Sequence, residues 1–74
     1  MTTRTAYQSV ITRLHATEGT EQSNRQSLAY RSEDLNNLGK YGYVLVGTVT
    51  APESDGVTVI IDSLMLVEEI EDPR

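Results

Sequence analysis

His15 is the chain's only histidine, and there is no cysteine to join it. A histidine can act as a general base or a metal ligand. Nucleophilic catalysis also needs a serine or cysteine placed against that base, and no serine here stands in a G-x-S-x-G turn. His15 therefore reads as a surface residue at a strand end. The acids Glu68, Glu69, Glu71 and Asp72 form a run without the interleaved glycine of a calcium loop, so they read as a solvated tail. Asp62 is different, because it interrupts the apolar stretch from Val57 to Val67. Either it faces solvent at a bulge between Asp62 and Ser63, or it pairs across an interface with an arginine such as Arg13. Glycosidase-type catalysis by Asp62 would need a second placed carboxyl group, and none is readable. Gly39, Gly42 and Gly47 do not form a phosphate loop, since Gly39 and Gly42 close a helix instead of opening one. The aromatics are Tyr7, Tyr30, Tyr41 and Tyr43. Tyrosines can stack a flat ligand or anchor an interface. Tyr43 is the core candidate, and Tyr30, Tyr41 and Asp62 are the candidate partner or ligand contacts. No catalytic, cofactor-binding or metal-ligating residue is assigned, and no enzyme activity is expected.

The elements that would position these groups read as β, α, β, β. Ala6 to Leu14 is strand-like, with Tyr7, Ser9, Ile11 and Arg13 on one side and Gln8, Val10, Thr12 and Leu14 on the other. His15 to Gln22 reads as a loop around Gly19. The helix start has two solutions. Ser23-Asn24-Arg25-Gln26 matches a capping box, and a helix from there would align Leu28, Leu35 and Leu38. The shorter, preferred helix starts at Ser32, with Glu33 and Asp34 in its first turn. Residues 15–31 are then a polar loop or a partly helical insert. The helix stops near Gly42, where glycine readily takes the left-handed conformation. Tyr43 to Thr50 and Val57 to Val67 form a hairpin across Pro52 and Asp55-Gly56. The last strand is apolar in both registers, which predicts a central strand. The ends, 1–5 and 68–74, read as flexible.

Size and charge bound the rest. The 74 residues make a single domain, 1–74. Without cysteine, neither disulfides nor common zinc sites can staple so small a core, leaving association as the route to extra stability. The net charge of −5 divides unevenly: +2 through Arg31 and −7 from Ser32 onward. That balance disfavours direct nucleic-acid binding and suits an acidic surface that docks on a basic protein. The longest apolar run falls well short of the roughly 20 residues of a membrane helix. No secretory signal follows Met1, and the expected location is cytoplasmic.

Leu35, Leu38, Gly39, Gly42, Tyr43, Leu45 and Val46, with Tyr7 in the first strand, resemble the signature of the domain-of-unknown-function 4177 family. Tyr43 stands where that family usually has tryptophan. The resemblance implies a small β-α-β-β fold and supplies no catalytic residues. A fainter likeness is to dodecins, β-α-β-β shell proteins that bind flavins.

The expected architecture is α+β: a three-stranded antiparallel sheet, last strand in the middle, with one helix on one face. Val44, Val46, Val59, Ile61 and Met65 would then line an uncovered face, which predicts a homo-oligomer through it. The expected function is that of a small acidic, non-enzymatic binding protein docking on another macromolecule, as a phage-type accessory or inhibitory protein would. The alternative is a homo-oligomer that sequesters a nucleotide or flavin at its subunit interfaces.

Overall fold

β-Branched and threonine-rich segments at both ends of the chain seek each other. The computed structural model describes residues 2–70, and in it β1 (Thr2–His15) pairs antiparallel with β3 (Val57–Ile70) over its whole length. Residues 2–5 and 68–70, read above as loose ends, are therefore strand. Thr2 faces Ile70 and Arg4 faces Glu68, with which it also makes an ion pair. The expectations for Met1 and for 71–74 lie outside the described residues. β2 (Val44–Ser54) pairs with the other edge of β3, giving the order β1-β3-β2. The fold is thus α+β, with a three-stranded antiparallel sheet and the last strand central, as its two-sided apolar pattern requires.

The helix is longer than the preferred reading. α1 runs from Glu21–Lys40, so most of the 15–31 insert is helical. Ser23 lies inside it and caps nothing. Thr20 holds the N-cap position, but its hydroxyl donates to the carbonyls of His15 and Thr17 instead of capping the helix. Asn24 secures the start. Its Nδ2 donates to the His15 carbonyl at 2.6 Å, and its Oδ1 accepts the His15 N–H at 2.9 Å. This side chain serves the end of β1 as a neighbouring strand would.

At the other end the chain leaves the helix through a Schellman turn. The Tyr43 N–H reaches the Leu38 carbonyl at 3.1 Å and the Gly42 N–H reaches that of Gly39 at 3.0 Å. Gly42 sits at φ 94°, where a side chain is strained. The turn delivers Tyr43, half-buried, to the start of β2.

The helix lies over the sheet with the stripe Asn24, Ser27, Arg31, Leu35 and Leu38, each partly buried. No residue of α1 is fully buried, and Leu28 is exposed. Beneath it, three rows cross the sheet: Gln8–Leu64–Leu45, Val10–Asp62–Thr48 and Thr12–Ile60–Thr50. The buried set is Val10, Thr12, Asp62 and Leu64. Two of these four are polar, so the centre of the covered face is a polar cluster flanked by a small apolar core.

So thin a core leaves the chain extended. Its radius of gyration is 16.3 Å, against about 11 Å for a compact chain of this length. It exposes 5722 Å², where a compact monomer of 8.2 kDa exposes about 4,500 Å².

Candidate functional site

The sheet has a second face, and no element covers it among the described residues. Strand pairing aligns its side chains into rows because directly opposed residues share a face. Tyr7–Met65–Val44 forms one row, Ser9–Ser63–Gly47 the next, then Ile11–Ile61–Val49 and Arg13–Val59–Ala51. Two apolar rows thus flank a trough of small residues. Tyr7 is 71% exposed, Val44 62% and Val49 61%. Val59, Ile61 and Met65, in the central strand, are half-buried by their neighbours. At one end Arg13 Nε donates to Glu53 Oε2 at 2.7 Å, so β1 and β2 are tied together across β3.

The structure places Val44, Val59, Ile61 and Met65 of the sequence-derived set on this open face. Val46 is the exception. It is the extra residue where the β2 register shifts between Leu45 and Gly47, so it belongs to none of these rows, although it is exposed. Tyr7, Ile11 and Val49 belong to the face and were missed. Tyr7 and Ile11 already shared a parity in the first strand. Only the register with β3 reveals which parity lies opposite the helix.

Asp62 is neither solvent-facing nor paired with Arg13. Its exposure is 0%, and the β3 ladder runs through it without a bulge; the irregularity lies across from it in β2. Arg31 grips it with a two-pronged contact, Nε to Oδ2 at 2.7 Å and Nη2 to Oδ1 at 2.9 Å. Thr48 Oγ1 donates to Oδ1 at 2.7 Å. The Arg31 hydrogen bonds hold the Asp62 carboxyl below its usual range despite the opposing effect of burial, and Thr48 assists. Asp62 in turn raises Arg31. Both oxygens of this carboxylate accept hydrogen bonds from within the chain, which makes it a clamp between α1, β3 and β2. It has no exposed surface of its own within one chain.

Tyr30 and Tyr41 are 57% and 76% exposed. They lie apart from the open sheet face: Tyr30 on α1, its hydroxyl accepting from Gln26 Nε2 at 3.1 Å, and Tyr41 in the turn after it. Tyr30 borders a cleft of about 130 Å³ between residues 11–13 of β1 and Ser27, Arg31 and Asp34 of α1. Nucleotide and drug-sized sites occupy roughly 300–1,000 Å³, so this cleft is too small for such a ligand within one chain. His15, the last residue of β1, is exposed. Among the described residues no group of three or more His, Cys, Asp or Glu is placed to hold a metal ion. Among them, too, no helix is long and apolar enough to cross a membrane. Compared with protein-family models, curated proteins and solved structures, the chain matches none.

Proposed function

We propose that this protein is a non-enzymatic binding module that works as a self-associated assembly, its open sheet face packed against that of a second copy. The observation that carries this reading is the apolar surface of the open face. Tyr7, Ile11, Val44 and Val49 are all more than half exposed, and they sit in register across a single plane. Contiguous apolar patches of this kind mark interaction sites. The area supports a second copy as occupant. The chain exposes roughly 1,200 Å² more than a compact monomer of its mass, and a standard interface removes about 800 Å² per partner. A two-fold contact would set apolar rows against apolar rows.

The acidic balance of the chain supports a basic macromolecule as the target of the assembled module, in the manner of an accessory or inhibitory protein. Sequestration of a nucleotide or flavin would need a pocket built between subunits, because the cleft within one chain is too small. The test is the mass in solution of Val49→Glu against the parent chain. Val49 is 61% exposed, so a carboxylate is harmless in the isolated fold. Set in a dry interface it costs about 3 kcal/mol or more, a loss of association of at least roughly 100-fold. An unchanged mass would refute the face as an interface.

A further inference from the structure

The two edges of the sheet are built differently. The β2 edge is interrupted by register shifts at Leu45/Gly47 and at Pro52/Ser54, and it carries Gly47, Pro52 and Glu53. Bulges, proline and charge are the devices that keep an edge from accepting another strand. The β1 edge has none of the first two. Its ladder with β3 is unbroken from Thr2 to His15, without proline or glycine.

Backbone directions show what that edge offers. The Ala16 N–H turns toward the hairpin and donates to the Gly56 carbonyl at 2.7 Å. His15, one residue earlier, turns the opposite way, and Asn24 satisfies both its N–H and its carbonyl. Backbone groups alternate sides along a strand. Thr3, Thr5, Tyr7, Ser9, Ile11 and Arg13 therefore present their N–H and carbonyl groups to the free edge, where among the described residues no strand meets them. Asn24 closes this run at one end and marks where pairing must stop.

We infer that this edge is a second interaction surface, on which β1 of another copy pairs antiparallel about a two-fold axis at Gln8. The register follows from the free run. Only an axis at Gln8 lets every outward residue from Thr3 to Arg13 find a partner: Thr3 opposite Arg13, Thr5 opposite Ile11, Tyr7 opposite Ser9. The same register sets Arg4 opposite Thr12, so neither arginine of the strand faces a like charge. It also sets the partner's Arg4 opposite Thr12, which lines the small cleft together with the acid Asp34. A second copy suits this edge because its β1 brings an equally long, equally unpaired run. The pairing joins two sheets side by side and leaves both open faces free, so it is independent of the face contact proposed above.

The absence of native cysteine makes the test clean. Gln8 is exposed and lies directly opposite itself in this register, at a non-hydrogen-bonded pair where Cα atoms are about 4.5 Å apart, close enough for a disulfide. Gln8→Cys under mild oxidation is expected to give a covalent dimer as the main product. Thr50→Cys, on the β2 edge, stays monomeric on a non-reducing gel. Ser9→Pro removes one outward N–H and no ladder bond, so it keeps the circular dichroism of the parent while the Gln8→Cys cross-link is lost in the doubly substituted chain. Gln8→Cys combined with Val49→Glu still cross-links, which separates edge from face. No preferential cross-link at Gln8 over Thr50 overturns the inference, whatever other strand the edge might take, and so does a cross-link that survives Ser9→Pro with full yield.

Discussion

Replacing Arg31 by methionine removes the cation from the most buried charge among the described residues. Asp62 keeps only the Thr48 hydroxyl and loses the guanidinium bonds of 2.7 and 2.9 Å. Stranding one member of a buried ion pair costs about 3–5 kcal/mol. The Arg31 side chain is 27% exposed, so water can reach the vacated space and the lower end, about 3 kcal/mol, applies. A chain this short has a total stability of only about 4–11 kcal/mol. With a urea dependence near 1 kcal/mol per molar, the midpoint drops by about 3 M. The pH dependence gives a sharper test. In the parent, Arg31 holds the folded pKa of Asp62 below its unfolded value. Its contribution is therefore complete above the ordinary carboxylate range and is lost as the pH falls through the lower, folded value. In Arg31→Met, burial dominates and raises the folded pKa above the unfolded one, so protonation favours the fold. Acidification from neutral pH toward the carboxylate range should then narrow the gap between variant and parent. Urea titrations followed by circular dichroism, at one fixed protein concentration, read both effects. A neutral-pH loss under about 1 kcal/mol, or a gap that widens on acidification, would refute the assignment of Asp62 as a clamped carboxylate.

Gly42→Ala forces a left-handed φ on a residue with a side chain and sets the new Cβ 3.1 Å from Leu66 Cδ1. It should lower stability by about 1–2 kcal/mol in urea titrations, and a neutral result would contradict the Schellman reading. Asn24→Ala unties both backbone groups of His15. The expected loss is about 1 kcal/mol, together with faster amide exchange at His15; unchanged protection would show that Asn24 does not hold the β1 edge.

What the sequence made legible was the sheet. Apolar residues in both registers of Val57–Val67 forced a central strand, and Gly42 after the Leu35–Leu38 stretch placed the helix end. The helix start was hidden because its sheet-facing stripe changes character midway. Leu35 and Leu38 are followed toward the N-terminus by Arg31, Ser27 and Asn24; Arg31 is polar because it serves a carboxylate, Asn24 because it serves a strand end, and Ser27 lines the small cleft. A reader looking for leucines picks Leu28, which is exposed. Asp62 was misassigned for the same reason. With 15–31 read as loop, Arg31 had no fixed position, and the nearest placed arginine was Arg13, which instead bonds Glu53. The irregularity sensed near Ser63 exists, but in the partner strand, where an extra residue of β2 displaces Val46 from the open face. Single-sequence patterning cannot say which of two paired strands carries a bulge. The open face itself was legible in β2 and β3 but not in β1, whose parity acquires meaning only from its pairing.

The most direct measurement is sedimentation equilibrium of the parent chain and of Val49→Glu over concentrations from micromolar to millimolar. An interface on the open sheet face gives a parent mass above that of one chain, rising with concentration, and a smaller mass for the variant at every point. A parent chain that sediments as a folded monomer throughout, or a variant indistinguishable from it, would contradict the claim that the bare sheet face is an interface.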